Sequence, residues 1–247
     1  MEHIISLKNE KIQKEEWAGT FYRLFWIYVI CGVGGFLIES IWCWIDFHEF
    51  TSRTSNLFFP ISCIWGFGGV LLHLFTAKDQ ENSKLYLFVK CTVLGALFEF
   101  LCGYLGEHLL EVTFWDYSAM PLHIGKYINL PFCLVWGGIG VAWVWKIYPL
   151  IRRKLETPVL TGPNTAMRVF LVFMVCSQVL TGAALLRMHE RQSRNVEENI
   201  VEYVLDQCFP DQTLQRYFPK MKSTVTGKKI YIQETKSKNP IDFGGVF

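Results

Sequence analysis

The chain has 247 residues, of which 51% are hydrophobic, 16% aromatic and 19% charged. Its mean hydropathy is +0.23, and a water-soluble domain of this size usually carries about 25% charged residues. The composition argues strongly against a soluble enzyme, a nucleic-acid-binding protein and a disordered chain, and we expect no nucleic-acid partner. The net charge of +2 says little about other partners.

Five apolar segments approach the roughly 20 residues that a helix needs to cross the hydrocarbon core of a bilayer. They are residues 24–45, 57–76, 85–106, 127–145 and 169–186. The first segment contains one carboxylate, Glu39, and the third contains Glu99, with Lys90 near its start. The pattern predicts an all-α membrane protein with five transmembrane helices.

These segments divide the chain into five parts. The parts are a cytoplasmic N-terminal segment (1–20), a four-helix transmembrane core (21–150), a cytoplasmic link (151–167), the fifth transmembrane helix (168–186) and a hydrophilic C-terminal tail (187–247). In the tail, apolar residues recur at helical spacing at Val196, Ile200, Tyr203 and Val204. We expect a juxtamembrane helix there, followed by a loosely ordered end.

Lysines and arginines are distributed unevenly between the two ends of the predicted helices. Twelve flank the end that carries the N-terminus, and two, Arg53 and Lys126, flank the other end. Because Lys and Arg are enriched in cytoplasmic links, we expect a multi-pass protein of the cell membrane with a cytoplasmic N-terminus. Five crossings place the C-terminus outside, although Arg187, Arg191 and Arg194 in the tail argue mildly for the opposite side.

Two sequence patterns occur twice, in the same order. Residues 35–39 and 95–99 both read G-x-x-x-E, and residues 60–66 and 131–137 both read P-x-x-x-x-W-G. Helices one and two therefore resemble a duplicate of helices three and four. Both helix pairs start at the same side of the membrane, so the repeats are parallel and their pseudo-twofold axis follows the membrane normal.

Small residues and glutamates share one face of the first helix and one face of the third. The faces comprise Gly32, Gly35, Glu39 and Cys43 on helix one, and Gly95, Glu99, Gly103 and Glu107 on helix three. Small residues let helices approach closely in lipid. We therefore expect helices one and three to meet along these faces.

Glu39 and Glu99 are the candidate functional residues within the bilayer. A carboxylate in hydrocarbon costs about 2.5–3.5 kcal/mol on insertion scales, so it tends to face a cavity or a partner. Equal depth in related helices predicts one shared, outward-facing pocket. Such a pocket could bind a cation, relay a proton, orient a polar headgroup or supply an acid and a base. The structural alternative is two neutral carboxyls that donate hydrogen bonds between helices.

The link between helices three and four carries the densest polar motif, W-D-Y-S at residues 115–118. In the other outer link, Arg53 is the one strong cation and a natural partner for Asp116 or for an anionic headgroup. The structural alternative is a pair of tight loops held by an ion pair. The candidate substrate-binding residues are Glu39, Glu99, Arg53, Trp115, Asp116, Tyr117 and His123.

The eight cysteines show no CxxC or Cys/His spacing of the kind found in zinc sites. Seven of them lie in the apolar segments, where cysteine usually acts as a small hydrophobic residue. We therefore expect no metal and no cofactor, and we assign no catalytic residue.

The ordered motifs resemble those of a known family. They are the two G-x-x-x-E patterns, Thr54-Ser55, Pro60, Trp65-Gly66-Phe67-Gly68, Trp115-Asp116-Tyr117-Ser118, Pro121, Gly125 and Ile128. Over about residues 20–150 the chain is similar to the bacterial CmpB-like, type IV ABC-transporter permeases, and to animal transmembrane proteins that share the W-D-Y-S motif. The family usually has Asn at the position of His123 and Tyr at that of Trp65.

The resemblance implies a transport permease. No G-x-x-x-x-G-K-[ST] phosphate-binding loop occurs in the chain, so ATP hydrolysis would need a separate ATPase chain. The cytoplasmic links at residues 77–84 and 146–168 are the expected contact sites for that chain.

Three functions remain open at this point. The leading hypothesis is a permease-type membrane protein whose pocket takes a small polar or cationic solute. The second is an intramembrane enzyme acting on a lipid or isoprenoid headgroup, with the glutamates as acid and base and Arg53 or His123 binding phosphate. The third is a membrane scaffold subunit without chemistry. Membrane lipid is an expected partner, and a homo-oligomer is a further candidate assembly.

Overall fold

The structure is a computed structural model that describes residues 2–48, 52–109, 112–155, 165–193, 199–219 and 221–223. Its helices are α1 (Glu2–Phe47), α2 (Cys63–Thr76), α3 (Lys84–Leu109), α4 (Leu130–Ala142), α5 (Tyr148–Leu155), α6 (Thr165–Ser193), α7 (Ile200–Cys208) and α8 (Asp211–Tyr217). A π-helical turn, Trp143–Ile147, joins α4 to α5. The strands β1 (Val112–Thr113) and β4 (Lys222–Ser223) form one antiparallel pair, and β2 (His123–Ile124) and β3 (Ile128–Asn129) form another.

Among the described residues, four helical segments are long and apolar enough to cross a membrane. They are Gly19–Ile45, Lys84–Leu109, Leu130–Leu155 and Thr165–Arg191. The prediction of a helical, multi-pass membrane protein is therefore confirmed. The second apolar segment differs, because α2 has only 14 residues. At 1.5 Å per residue it is about 21 Å long, against about 30 Å of hydrocarbon, so five crossings stay a prediction.

Residues 52–62, which we call the Asn56 loop, precede α2 and satisfy much of their own backbone. The Thr54 hydroxyl donates to the carbonyl of Asn56 (2.8 Å). Oδ1 of Asn56 accepts the N–H groups of Phe58 (2.8 Å) and Phe59 (3.1 Å). Non-helical backbone is tolerated at membrane depth only where protein groups satisfy it. The side chain of Asn56, which is 1% exposed, satisfies these backbone groups from within the loop itself.

Helix α6 holds the Asn56 loop from the side. The Asn56 amide donates to Oγ of Ser177 (2.9 Å), and the N–H of Leu57 donates to Oγ1 of Thr181 (3.1 Å). Ser177 and Thr181 are buried and lie one helical turn apart, so they present a single polar face to the loop. The loop is therefore tied to a helix more than a hundred residues away in the chain.

The membrane helices form two antiparallel hairpins, α1 with α2 and α3 with α4. A Cβ added at Gly35 would lie 2.5 Å from Cδ1 of Trp65, and one at Gly95 would lie 2.8 Å from Cδ1 of Trp136. Real Cβ atoms do not approach other atoms so closely, so each glycine makes room for an indole of the neighbouring helix. The expectation that helices one and three meet along their glycine faces is therefore wrong. Each face is occupied by the tryptophan of its own hairpin.

A second glycine contact is matched between the hairpins. A Cβ added at Gly69 would overlap Cys31, and one added at Gly140 would overlap Cys91. Each cysteine lies four residues before the glycine that receives the indole, and each of these second glycines lies four residues after the tryptophan. The two hairpins therefore share two contacts at the same spacing, and the duplication itself stays a prediction.

The C-terminal tail folds back on the end of the bundle that carries the Asn56 loop. Arg187, near the end of α6 and only 4% exposed, pairs with Asp206 (2.9 Å) and Glu202 (3.2 Å) of α7. Strand β4 then pairs with β1, directly after α3. The buried side chains of Met188, Leu214 and Met221 form an apolar cluster between the end of α6 and the tail.

Helix α7 occupies the stretch in which the sequence predicts a juxtamembrane helix. The expected loosely ordered end differs from the structure, because α8 and β4 follow α7. Their anchors, Leu214 and Met221, pack with Met188 of α6, and this contact joins segments that are distant in the sequence. Residues 156–164 of the predicted link, and residues 194–198, 220 and 224–247 of the predicted tail, lie outside the described residues.

Candidate functional site

Each intramembrane glutamate accepts a hydrogen bond from the tryptophan of its own hairpin. Nε1 of Trp65 donates to Oε1 of Glu39 (2.6 Å), and Nε1 of Trp136 donates to Oε1 of Glu99 (3.1 Å). The G-x-x-x-E spacing explains this geometry, because glycine and glutamate lie one turn apart on the same helix face. The indole rests on the glycine and its N–H reaches the carboxylate one turn away. We call each of these units a Glu–Trp pair.

The two Glu–Trp pairs lie side by side. The ring centroids of Trp65 and Trp136 are 5.7 Å apart, with the ring planes inclined by 34°. Tyr117 of the W-D-Y-S motif is buried, and its hydroxyl lies within electrostatic reach of both Glu99 and Glu39. Burial, and then these two carboxylates, raise the pKa of Tyr117 above its ordinary value. Both glutamates thus act on one buried hydroxyl.

The two carboxylates have different electrostatic surroundings. Glu39 is partly exposed, and the guanidinium of Arg53 lies within electrostatic reach of it while donating from Nε to Sγ of Cys43 (3.2 Å). Glu99 is only 8% exposed, and its Oε2 has no hydrogen-bond partner in the part of the chain that the structure describes. A cation therefore offsets the charge of Glu39, while Glu99 relies on the Trp136 N–H.

Trp115 and Asp116 stabilise the W-D-Y-S link beside Tyr117. Nε1 of Trp115 donates to the carbonyl of Tyr127 (3.2 Å), which ties the two sides of the link together. Oδ1 of Asp116 accepts the N–H of Ser118 (2.9 Å) and closes a local turn. These bonds hold the link on both sides of Tyr117, which is the buried member of the motif within electrostatic range of the glutamates.

His123 lies apart from the glutamates. It begins strand β2, is exposed, and donates from Nδ1 to the carbonyl of Gly125 (2.7 Å). Gly125 has a φ of +62°, a left-handed conformation that glycine adopts without strain, and it turns the β2–β3 hairpin. The structure therefore brings together Glu39, Glu99, Arg53 and Tyr117, and it places His123 on a surface hairpin.

A third carboxylate, Glu107, is already fully engaged at the end of α3. It accepts hydrogen bonds from Thr113 (2.7 Å), from Nζ of Lys126 (2.5 Å) and from the hydroxyl of Tyr127. The hydrogen bond to Glu107 raises the pKa of Lys126 above its ordinary value. Glu107 therefore anchors the link after α3, although the sequence places it on the same helix face as Glu99.

Sequence reasoning missed a set of polar residues that fix the Asn56 loop. They are Asn56 itself and, on α6, Ser177, Gln178 and Thr181. Gln178 donates from Nε2 to the carbonyl of Ser55 (3.1 Å), and Cys63 donates from Sγ to Oε1 of Gln178 (3.2 Å). The available signal was three polar residues at positions i, i+1 and i+4 of a segment without charges.

The site offers oxygen and indole groups rather than a metal centre. Within the described residues no group of three or more His, Cys, Asp and Glu side chains converges on one point. Besides the guanidinium of Arg53 near Glu39, the polar groups of the site are the two carboxylates, the indole N–H groups and the Tyr117 hydroxyl. Such groups suit a ligand that donates hydrogen bonds or carries positive charge.

Helices of spanning length around a partly buried polar cluster define a multi-pass membrane protein. The chain belongs to the family described as "Putative ABC-transporter type IV", which matches residues 26–182. The match covers both hairpins and most of α6, and it confirms the family resemblance that the motifs indicate. No curated protein and no solved structure matches the chain.

Proposed function

We propose that this protein is the membrane-spanning, permease-type component of a transporter, with a site for a small polar or cationic solute built around Glu39 and Glu99. The observation that carries the proposal is the meeting of the two Glu–Trp pairs at Trp65 and Trp136. Tyr117 lies within reach of both carboxylates and completes the polar cluster. Membership of an ABC-transporter family supports the transport class.

The proposed pocket opens to the outside of the cell. The Asn56 loop, the link at residues 112–129 and the tail lie at one end of the bundle, and Arg53 and Lys126 are the lysine and arginine residues of those two links. Few positive charges are typical of an external face. Arg187 and Arg191 of the tail weaken this assignment little, because carboxylates of α7 and α8 pair with them.

The proposed topology keeps five crossings. The Asn56 loop and α2 together would form the second crossing, because the loop satisfies its own backbone and is flanked by α6. The N-terminus would then lie in the cytoplasm and the C-terminus outside. On this topology the two hairpins are parallel repeats related by an axis along the membrane normal.

We further propose that energy comes from a separate ATPase chain bound at the opposite end, on residues 77–84 or 146–168. Trp115, Asp116 and His123 would then border the entrance from the outside.

The enzyme hypothesis loses one of its two alternative phosphate-binding candidates, because His123 lies on a surface hairpin away from the glutamates. Arg53 lies near Glu39, whereas His123 lies on the β2–β3 hairpin. A general acid and a general base acting on one headgroup need the phosphate ligands beside the two carboxylates.

The experiment is a flux assay on the purified protein in proteoliposomes, with radiolabelled methylammonium, choline and glycerol as probes, each supplied at an imposed concentration gradient so that no ATPase is needed. The variants are Glu39→Gln, Glu99→Gln and the control Glu190→Gln, which changes a half-exposed carboxylate near the end of α6. We expect the wild type and the control to transport at least one probe. Each pocket variant should reduce that flux by about tenfold or more, the loss expected for a hydrogen bond to a charged group.

Thermal unfolding of the same samples checks that each variant is folded. Unchanged flux in both folded pocket variants would refute the proposal and favour a scaffold. A change in the lipid composition of the membrane on deletion of the gene, with no flux of any probe, would favour the enzyme.

A further inference from the structure

The two glutamates differ in the charge that surrounds them, and this difference points to one of them as the ligand. The positive charge of Arg53 acts on Glu39. Within the described ranges, Glu99 accepts its hydrogen bond from the neutral indole of Trp136, and the ion pairs of those residues do not include Glu99. The described residues therefore give Glu99 no positively charged partner.

Glu99 also has an oxygen atom with nothing to bind. The Trp136 N–H takes Oε1, at 3.1 Å, while Oε2 is buried and makes no hydrogen bond within the described ranges. The whole residue is 8% exposed, so bulk water reaches it poorly. A buried carboxylate oxygen without a donor is costly, and most such atoms in proteins have a partner. The missing partner is therefore a ligand or a proton.

The surroundings of Glu99 specify the kind of ligand. Aromatic rings line this part of α3 and α4, since Phe98 and Trp136 are in edge contact with centroids 6.0 Å apart. Rings of this type attract ammonium groups through their electron-rich faces. Divalent cations need several oxygen ligands, and no convergent group of three acidic or other metal-binding side chains exists among the described residues.

We infer that Glu99 binds one monovalent cation of the ammonium type, which donates an N–H to Oε2, and that Glu39 and Arg53 form a charge-balanced pair beside it. The inference rests on the proposed function and names the substrate class of the same site. One uncompensated carboxylate matches one positive charge, so the site takes a single cation per chain.

The experiment measures equilibrium binding of radiolabelled methylammonium to the full chain in lipid nanodiscs, with unlabelled potassium and calcium as competitors. We expect saturable binding with one site per chain in the wild type and in Glu190→Gln. Glu99→Gln should weaken binding by about tenfold or more, because the carboxamide keeps the shape of the side chain and loses its charge. Calcium should compete poorly.

The paired substitution of Glu39 and Arg53 separates a ligand from a balancing charge. Glu39→Gln alone leaves Arg53 unbalanced near the site and should weaken binding through repulsion. Adding Arg53→Gln to Glu39→Gln should restore most of the affinity. The same second substitution should not restore Glu99→Gln, because the oxygen that accepts the ammonium N–H is then missing.

Three results would overturn the inference. They are absence of methylammonium binding in the folded wild type, equal restoration of both variants by Arg53→Gln, and calcium binding tighter than methylammonium. The flux assay tells these apart from failure of the proposed function. If Glu39→Gln and Glu99→Gln still abolish glycerol flux, the transport site stands and only its assignment to an ammonium cation is wrong.

Discussion

Adjacent glycines in α1 offer a sharp test of how each Glu–Trp pair is built. A Cβ added at Gly35 would lie 2.5 Å from Cδ1 of Trp65, and still closer to its Cβ and Cγ atoms. A Cβ added at Gly34 would meet nothing within 4 Å. We therefore predict that Gly35→Ala destabilises the protein and that Gly34→Ala does not.

The difference between the two variants isolates the steric clash. Both replace glycine by alanine inside one helix, so the gain in helix propensity, about 0.5–1 kcal/mol, is common to both. An extra methyl group in a filled site costs about 1–3 kcal/mol. The Trp65 atoms that would be hit lie next to its backbone, so rotation of the ring cannot relieve the overlap. The cost should therefore lie at the upper end of this range.

Thermal unfolding in detergent or nanodiscs, followed by intrinsic tryptophan fluorescence, measures the effect. For a chain of this length 1 kcal/mol corresponds to about 2–4 °C, so Gly35→Ala should unfold roughly 4–12 °C below Gly34→Ala. Gly95→Ala should behave like Gly35→Ala, because Trp136 occupies its face in the same way. Equal thermal unfolding midpoints for Gly34→Ala and Gly35→Ala would refute the packing of Trp65 against Gly35.

Three further substitutions test separate contacts. Trp136→Phe removes the N–H that Glu99 accepts and should cost about 1.5–3 kcal/mol, read as a lower unfolding midpoint. Arg187 holds the pKa of Asp206 below its ordinary value of 3.8. The stability that this ion pair contributes is therefore complete above about pH 3.8, and it is lost as the pH falls through the lowered pKa of Asp206 in the folded protein. Asp206→Asn should therefore lower the midpoint at pH 7, and its difference from the wild type should shrink below about pH 4. Thr181→Val leaves an N–H of the Asn56 loop unsatisfied, costs about 1–3 kcal/mol, and should speed amide hydrogen exchange in that loop.

Several parts of the site could be predicted because they depend on spacing along one helix. G-x-x-x-E places glycine and glutamate on one face, and the repeated W-G pattern marks the facing helix of each hairpin. The partner of each glycine face could not be predicted in this way. Periodicity says which residues share a face, but whether an indole or another glycine face fills it depends on side-chain shapes in a different segment.

The polar contacts of α6 show the same limit. Ser177 and Thr181 are visible in the sequence as polar residues in an apolar segment, yet their partner Asn56 is more than a hundred residues away. The pairing of Arg187 with Asp206 likewise depends on the tail folding back on α6. Nothing in the local composition of the tail indicates that it folds back on α6.

The amino-acid sequence alone determined the apolar segments, the two repeated motifs and the membership of the family described as "Putative ABC-transporter type IV", because each depends on local composition and spacing. The tertiary structure alone decided that each tryptophan donates to the glutamate of its own hairpin and that Tyr117 is buried within electrostatic range of both carboxylates. It also decided that Arg53 lies near Glu39, and that Oε2 of Glu99 has no hydrogen-bond partner among the described residues. These outcomes depend on how distant segments fit together, since close packing and the satisfaction of buried polar groups are properties of the assembled helices.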